Sequence, residues 1–303
     1  MKYLKKILHE PEMAGIYFMV LTARFWPAEL YIKLFYFFHL KEWPNLDNPQ
    51  TFNEKLNWLK LHDHRPLYTK LADKCEVKQY VSEKVGSEKV VPLIGVWNHF
   101  DEIDFDQLPD QFVLKCTHDS GSCIVCKNKE RFNRKEARIK LQKALRNNFY
   151  WNKREWVYKD IRPRIIAEQY IDDGRQGELQ DYKFWCFNGE PKIVYITNKG
   201  SLIYENFYDM DFAPLDIDHG FPRSCPEYKK PLHFEEMKTL AKTLSSGIPF
   251  VRVDFFLIDN HIFFGEFTFY DWAGMQPFSE RKMDEWLGRL LQLKNERGSE
   301  IKE

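Results

Sequence analysis

The sequence is poor in cysteine, has no excess of either charge sign and contains no long uninterrupted apolar run. Its six cysteines are too few for a small secreted scaffold built on disulfide bonds, so we expect free thiols. The 45 Lys and Arg residues balance 45 Asp and Glu residues, which argues against a dedicated nucleic-acid-binding protein. No stretch of about 18 apolar residues lacks a charge, so we expect no membrane-spanning helix.

Several functional motifs are also absent. No signal peptide is evident, and we therefore expect a cytoplasmic protein. The chain has no internal repeat, no GKS or GKT Walker sequence and no G-x-S-x-G nucleophile elbow. Cys123 and Cys126 have a zinc-like spacing, but within a strand they would point to opposite faces and no second pair exists. We therefore expect no zinc site.

The first 45 residues differ from the rest of the chain. Three lysines among the first six residues precede Gly15–Leu40, which is strongly apolar and aromatic. One interpretation is a pair of helices, the second beginning near Pro27, that lie on the cytoplasmic face of a membrane and give residues 1–40 a peripheral membrane contact. The alternative is that these helices are buried against the main body of the protein.

The remaining 258 residues alternate between helical and strand patterns. Thr51 and Glu54 have the spacing of a capping box at the start of a helix. Asn188-Gly189 is a strong β-hairpin signal. The order of elements predicts an α+β enzyme in which two small lobes face a cleft. Strands are expected near residues 90–96, 111–116, 123–128, 164–171, 179–197 and 251–269, and helices near 51–60, 68–84, 130–148, 234–246 and after 279.

A first candidate site is the loop that follows Lys115. The lysine ends an apolar strand, and residues 117–122 form a short polar loop that contains Gly121. Such a loop can direct several backbone N–H groups toward an anion while the lysine supplies a positive charge. The pattern is consistent with phosphate binding, and equally with an ordinary solvated turn.

A second candidate site is the hairpin that carries Asp254 and Glu266. A three-residue loop, Asp259–His261, would place Asp254 opposite Glu266 and Arg252 opposite Thr268. A two-residue loop would instead put the two carboxylates on opposite faces. Two facing carboxylates favour a bridging Mg²⁺ that also binds phosphate oxygens. The alternative is a solvated face on which Arg252 neutralises both acids.

Two weaker candidates lie between these sites. Glu168-Gln169-Tyr170 ends a strand and could present backbone groups to a purine and a carboxylate to a ribose. Asp181 and Lys183 lie on one face of a later strand, so the lysine needs either an anionic ligand or a nearby acid.

In chain order these pieces resemble the TupA-like ATP-grasp family of polysaccharide-assembly proteins, over about residues 45–290. The motifs that carry the resemblance are TFNEKLNWLKLHD (51–63), LADK (71–74), VPLIGVW (91–97), FVLKCTHDSGS (112–122), AEQYI (167–171), DYKFWCFNGEPK (181–192) and VRVDFF…GEFTF (251–269).

The resemblance implies an ATP-grasp fold in which two lobes clasp ATP and Mg²⁺. It implies a helical extension over 1–45, a helical and strand region over 46–108, a small lobe over 109–165 and a large lobe over 166–303. Nucleotide contacts would come from Lys74, Lys115, Ser120, Gly121, Ser122, Glu168, Gln169 and Tyr170. Lys183 and Arg252 would be catalytic, and Asp254, Glu266 and Thr268 would hold the metal.

One departure from the family pattern concerns the metal site. ATP-grasp enzymes usually end the metal motif with Glu-x-Asn, whereas this chain has Thr268, a weaker ligand. The second Mg²⁺ site is therefore in doubt, unless Asp271 substitutes for the missing ligand.

The implied chemistry is ATP-dependent ligation of a carboxylate to an amine through an acyl phosphate, with release of ADP. By resemblance, the carboxylate is a uronic acid in a surface polysaccharide or its precursor, and the amine belongs to an amino acid or peptide.

Two other functions are open. Asp209-Met-Asp211 and Asp216-Ile-Asp218 have the spacing used by metal-dependent glycosyltransferases, which would act in the same pathway, although both lie in a loop. A non-catalytic nucleotide-binding scaffold at the membrane is the third hypothesis, and Thr268 is its only support.

Overall fold

The structure is a computed structural model that describes residues 11–171, 180–198 and 202–293. Nine α-helices lie in these ranges. They are α1 (Pro11–Leu21), α2 (Ala28–Leu40), α3 (Phe52–His62), α4 (Pro66–Ala72), α5 (Glu76–Val85), α6 (Arg134–Leu145), α7 (Tyr150–Lys153), α8 (Phe234–Ser245) and α9 (Arg281–Leu290).

Ten strands form two antiparallel sheets. They are β1 (Leu93–Trp97), β2 (Phe112–Cys116), β3 (Ile124–Cys126), β4 (Ile165–Gln169), β5 (Asp181–Phe187), β6 (Glu190–Thr197), β7 (Glu205–Asp209), β8 (Pro214–Leu215), β9 (Phe250–Ile258) and β10 (His261–Thr268). The first sheet has the order β1-β4-β2-β3, and the second has the order β10-β9-β5-β6-β7-β8.

The first sheet has one covered face and one face that carries charge. Phe112, Leu114 and Cys116 of β2 are buried in a core completed by Ala137 and Leu141 of α6. The alternate residues of β2 point the other way, so Lys115 lies on the opposite face of the sheet. This sheet takes β1 and β4 from outside residues 109–165, with β4 at its centre between β1 and β2.

The second sheet forms the larger core, which α3 and α8 help to cover. Asn188 and Gly189 both have positive φ, of 52° and 82°, and connect β5 to β6 as the sequence predicts. Thr51 and Glu54 form the predicted capping box at the start of α3. This is local chemistry, because each side chain binds a backbone N–H group only three residues away.

The β9–β10 hairpin corrects one prediction. Ile258 pairs with His261, so the loop is the two-residue turn Asp259-Asn260, in which both residues have positive φ, and not the predicted three-residue loop. The register then shifts between Phe264 and Phe267, where a β-bulge adds one residue to β10. Beyond this bulge Thr268 pairs with Arg252, as predicted.

The bulge decides which face Glu266 occupies. Gly265 and Glu266 together lie opposite Asp254, and a Cβ atom at Gly265 would lie only 3.1 Å from the Asp254 carbonyl oxygen. A two-residue loop alone would have placed Glu266 on the face opposite to Asp254. Because the bulge compensates for the short loop, both carboxylates reach the same face.

The N-terminal helices are partly buried and partly exposed. Tyr31, Ile32, Phe35 and Tyr36 of α2 are buried in a small core together with Met275. Packing against the main body is therefore correct for this face of α2. The connection between α1 and α2 is different, because Leu21 is 83% exposed and Phe25 is 88% exposed. The three lysines among the first six residues lie outside the described ranges.

No helix within the described ranges has both the length and the apolar character that crossing a membrane requires. All six cysteines are free thiols, as the sequence predicts.

Candidate active site

Two clusters of charged side chains lie near each other, since charges of both act on Lys74. The lysine-rich cluster belongs to the first sheet and its flanking segments and consists of Lys74, Lys78, Lys115 and Glu168. The acid-rich cluster belongs to the second sheet and the segment after it and consists of Asp181, Lys183, Arg252, Asp254, Glu266 and Asp271.

Glu168 is the centre of the lysine-rich cluster. It lies on β4 beside β2, and its carboxylate contacts Lys115 Nζ at 2.6 Å and Lys78 Nζ at 2.7 Å. Burial alone would raise the pKa of Glu168, but the two ammonium groups outweigh this effect and lower it. The carboxylate therefore holds two lysines in place, and its ribose contact stays a prediction.

Lys74 joins this cluster from the turn that follows α4. Its backbone N–H donates to the Thr117 carbonyl at 3.1 Å, and its ammonium donates to the Asp119 carbonyl. Burial lowers the pKa of Lys74, and the charges of Glu266, Lys115 and Glu168 all act on it. Lys74 is thus close to both clusters.

The predicted anion-binding loop has a fixed base and an exposed tip. Ser122 is buried, and its hydroxyl accepts from the Cys116 N–H at 2.8 Å and donates to Asp119 Oδ1 at 2.6 Å. Ser120 and Gly121 are exposed at the tip, where Gly121 has φ +108° with open space around it. The Ser122 hydroxyl shapes the loop, whereas the tip is free to meet a ligand.

Gln169 and Tyr170 end β4 at a second location. Both line a cavity of about 840 Å³ together with Pro92, Ile94 and Lys127. The Lys127 ammonium lies 5.4 Å from the centre of the Tyr170 ring. The strand end predicted to contact a purine therefore opens onto a cavity large enough for a ligand.

Arg252 is the centre of the acid-rich cluster. Its Nε and Nη2 atoms donate to the two oxygens of Asp254, each at 2.7 Å, and Nη2 also contacts Glu266 at 3.1 Å. Its Nη1 atom donates to Asp271 and, at 3.1 Å, to the Tyr195 hydroxyl. The neighbouring acids raise the pKa of Arg252 despite its burial.

Lys183 neutralises the other side of Asp254. Its ammonium lies 2.8 Å from Asp254 and 3.4 Å from Asp181, so the sequence alternative of a nearby acid is correct. Burial would raise the pKa of Asp254, but Arg252 and Lys183 lower it overall. Asp254 therefore remains ionised near neutral pH.

Asp271 does not replace the missing metal ligand. It is buried, and its carboxylate accepts from Arg252 and, at 2.8 Å, from the Trp185 indole N–H. It lies on the buried side of Arg252 and holds the guanidinium in place. Thr268 Oγ1 lies 3.5 Å from Glu266 Oε1, next to the exposed carboxylate.

The acid-rich cluster fits a magnesium ion. Four carboxylates surround two cationic side chains, and the Glu266 side chain is 48% exposed. Within residues 11–171, 180–198 and 202–293 no three His, Cys, Asp or Glu side chains are grouped to hold a metal by themselves. Mg²⁺ in nucleotide sites typically uses one or two carboxylates with phosphate oxygens, and Asp254 and Glu266 stay the predicted pair.

For two residues of the clusters, the sequence did not predict the contacts that the structure shows. Lys78 was missed, although its four-residue spacing from Lys74 is typical of one helix face. Asp271 was considered only as a metal ligand. No sequence signal links it to Arg252, because the contact depends on how the segment after β10 folds back on the sheet.

The Asp-x-Asp motifs have structural roles in turns. Asp209 Oδ1 accepts from the backbone N–H groups of Asp211 and Ala213 at 2.9 and 2.8 Å. Asp216 is exposed and pairs with Arg223 at 2.5 Å. These contacts favour the solvated-acid interpretation over a glycosyltransferase metal site.

Comparisons with known proteins relate most of the chain to one family. The sequence model of the family described as TupA-like ATPgrasp matches residues 54–292. No curated protein sequence matches the chain.

Solved structures with similar folds include several ligases. D-alanine–D-alanine ligase from Bacillus anthracis complexed with ATP is 13% identical with a TM-score of 0.37, and the match covers 65% of this chain and 53% of that one. The enzyme from Helicobacter pylori is 17% identical with a TM-score of 0.39, covering 73% and 61%. The ATP-grasp ligase PsnB complexed with minimal precursor is 9% identical with a TM-score of 0.39, covering 75% and 63%. The chain thus matches only about half to two thirds of the length of these proteins.

Proposed function

The chain belongs to the TupA-like ATP-grasp family, and from that premise we propose that it is an ADP-forming, ATP-dependent carboxylate–amine ligase. The family match also confirms the ATP-grasp fold that the sequence motifs predicted. The observation that carries the proposal is the opposition of the two clusters, which meet at Lys74. One cluster has an excess of positive charge, which suits phosphate, and the other has an excess of carboxylates, which suits Mg²⁺.

In this proposal the lysine-rich cluster binds the phosphate chain of ATP. Lys115 and Lys74 approach the phosphate oxygens, and the exposed backbone of Ser120 and Gly121 covers them. Gln169 and Tyr170 contact the adenine in the cavity at the end of β4.

The acid-rich cluster positions the transferred phosphoryl group. Asp254 and Glu266 would hold Mg²⁺, which offsets negative charge on the phosphates when it is bound. Arg252 and Lys183 stand beside these carboxylates and stabilise the charge that develops as the substrate carboxylate attacks the γ-phosphorus. ADP leaves, the amine then attacks the acyl phosphate, and inorganic phosphate departs. Thr268 makes a single Mg²⁺ the simplest arrangement.

The substrate assignment follows from the family. We propose that the carboxylate is a uronic acid of a surface polysaccharide or its precursor, and that the amine comes from an amino acid or peptide. We place the reaction in the cytoplasm, at the inner face of the membrane.

The first experiment measures ADP and phosphate release from Mg²⁺-ATP by the full chain, with pooled uronic acids and amino acids. We expect release to require both an acid and an amine. It should disappear in Lys115→Ala and Asp254→Asn and persist in Lys229→Ala, which removes an exposed lysine outside the clusters.

Two results would contradict the ligase. Tight ATP binding without turnover on any acid and amine pair would favour the nucleotide-binding scaffold. Binding of a sugar nucleotide in place of ATP would favour the glycosyltransferase.

We also propose that the turn between α1 and α2 contacts the membrane surface. Phe18, Leu21 and Phe25 are exposed there while the opposite face of α2 is buried. Exposed apolar side chains at one tip, preceded by lysines in the sequence, suit an anionic leaflet.

The test is sedimentation of the full chain with phosphatidylglycerol-containing vesicles. Leu21→Ser combined with Phe25→Ser should abolish binding, whereas Leu232→Ser, at an apolar residue with 87% exposure elsewhere, should not. Equal binding by all of these proteins, or binding by none, would refute the contact.

A further inference from the structure

A strongly basic segment lies outside the candidate active site. Between residues 127 and 146 the chain carries nine Lys and Arg residues but only two acidic residues, Glu130 and Glu136. The chain as a whole is neutral, so this segment concentrates positive charge that the rest of the molecule balances. The nine residues are Lys127, Lys129, Arg131, Arg134, Lys135, Arg138, Lys140, Lys143 and Arg146.

The charges are directed outward by the packing of α6. Only Ala137 and Leu141 of this helix are buried, and they pack on the covered face of the first sheet. The arginine and lysine side chains therefore occupy the opposite side. Like charges three or four residues apart, such as Arg134 with Arg138 and Lys140 with Lys143, destabilise a helix by a few tenths of a kcal/mol each.

Acidic side chains neutralise part of this positive charge. Arg138 contacts Asp101 at 2.7 Å, and Arg134 lies 3.7 Å from Asp106. In the part of the chain that the structure describes, the side chains of Arg131, Lys135, Lys143 and Arg146 have no acidic partner. The surface thus has several positive charges available to an external anion.

Two cavities connect this surface with the candidate active site. One, of about 420 Å³, lies between β3 and α6 and is lined by Lys127, Asn128, Arg131 and Lys140. Lys127 and Asn128 also line the 840 Å³ cavity that reaches Gln169 and Tyr170. Basic side chains therefore line both cavities, which lie between α6 and the end of β4 and share Lys127.

We propose that this basic surface, comprising residues 123–146 of β3 and α6, docks a polycarboxylate saccharide chain next to the active site. The proposal rests on the ligase function, and it specifies that the carboxylate substrate of the ligase is part of a polymer. A helix of twelve residues is about 18 Å long, which lets it meet several consecutive carboxylates of one extended chain. Exposed Val125 and Ile139 add apolar contacts for the faces of the sugar rings.

The polymer fits this surface better than two other anions. Single-stranded nucleic acids are usually bound by basic grooves with exposed aromatic side chains, whereas Val125 and Ile139 are the exposed large apolar residues here. A lipid surface would be met by the apolar turn between α1 and α2.

The experiment measures binding of a labelled oligogalacturonate to the full chain in the absence of ATP, at several salt concentrations. The test variant combines Lys135→Glu and Lys143→Glu. The matched control combines Lys229→Glu and Lys282→Glu, which changes the net charge equally at two other exposed lysines. We expect the test variant to bind about tenfold more weakly and to lose about two units of the salt-dependence slope, and the control to bind like the parent chain.

Three outcomes would overturn the proposal. These are equal weakening in test and control variants, tighter binding of single-stranded DNA of the same charge, and tighter binding of anionic vesicles by the Leu21→Ser, Phe25→Ser variant, in which the turn between α1 and α2 lacks its apolar side chains. Because binding is measured without ATP, failure of the ligase function is seen separately. Lys115→Ala should lose ATP turnover and still bind the oligogalacturonate.

Discussion

The two charged clusters of the candidate site solve the problem of burying charge in different ways. The lysine-rich cluster places three ammonium groups around one carboxylate, Glu168. The acid-rich cluster places four carboxylates around Arg252 and Lys183. Each cluster satisfies most of its charges internally and retains an excess of opposite sign to the other.

This difference explains how one cleft can serve two ligands of opposite charge. A surplus of buried charge is costly unless a partner completes it, so each cluster is stabilised when its ligand binds. In the proposed function, phosphate would bind the lysine-rich cluster and Mg²⁺ would bind the acid-rich cluster. Since Mg²⁺ and the phosphates also bind each other, we expect the binding of Mg²⁺ and the binding of the phosphates to be cooperative.

The largest expected effect comes from breaking the acid-rich cluster. Arg252→Leu removes the one side chain among the described residues that contacts Asp254, Glu266 and Asp271 together. Because buried Asp254 and Asp271 would lose this partner, we expect the free energy of unfolding to fall by about 3–5 kcal/mol. Urea denaturation monitored by tryptophan fluorescence measures this change.

The control for this substitution is an arginine in an exposed ion pair. Arg281 contacts Glu42 at 2.5 Å and Glu285 at 3.1 Å, with a side chain that is 56% exposed. Arg281→Leu should cost about 1 kcal/mol or less, because solvent screens such pairs. Equal losses for the two variants would show that the acid-rich cluster is not held together by Arg252.

Asp284 offers a contrast to the carboxylates of the acid-rich cluster, because no ion pair holds it among the described residues. It is expected to make the free energy of unfolding depend on pH. Asp284 is buried and accepts hydrogen bonds from Asn53, and burial raises its pKa to about 6. A raised pKa in the folded state stabilises the protein below the unfolded pKa of about 3.9, and this contribution is lost as pH rises through about 6. The loss is at most about 3 kcal/mol.

Asp284→Asn should remove this dependence. Denaturation of both proteins at several pH values between 4 and 7 provides the comparison. The decrease in unfolding free energy across this interval should be smaller in the variant. If both proteins show the same decrease, Asp284 is not the group that titrates.

Variants of the two clusters should differ in how their loss of ATP affinity depends on Mg²⁺. Lys115→Met removes a phosphate-side charge and should weaken ATP binding about tenfold both with and without Mg²⁺. Glu266→Gln removes a metal-side charge and should weaken ATP binding only when Mg²⁺ is present. Calorimetric titration with ATP measures both effects, and Lys229→Met serves as the control. The assignment of the clusters would be wrong if the two variants showed the same metal dependence.

The smallest effect concerns the loop beside the lysine-rich cluster. Ser122→Ala leaves the buried Cys116 N–H without its acceptor, and should lower the free energy of unfolding by about 1 kcal/mol. Ser120→Ala, at the exposed tip, should change it by less than about 0.5 kcal/mol. Thermal unfolding of the two variants tests this difference. A larger loss of stability in Ser120→Ala than in Ser122→Ala would show that Ser120 stabilises the loop.

Much of the local structure and the family could be predicted from the sequence. The turn at Asn188-Gly189 and the capping box at Thr51 depend on residues within a few positions of each other. Burial followed the alternation of apolar residues in β2, which put Lys115 on the uncovered face. The family motifs marked Asp254, Glu266 and Lys115 as neighbours of one cleft, and their roles stay predictions for the experiments above.

The tertiary structure decided what depended on distant segments. The Asp259-Asn260 turn alone would separate Glu266 from Asp254, and only the bulge at Gly265, packed against the Asp254 backbone, returns both to one face. Glu168 meets Lys78 across 90 positions, and Arg252 meets Asp271 where the segment after β10 folds back. Local propensity sets which residues start a helix or close a turn, because those hydrogen bonds are short in sequence. Which charged side chains pair is set by the packing of whole sheets and helices. A buried charge is costly unless an opposite charge lies beside it, and packing determines which opposite charge is near.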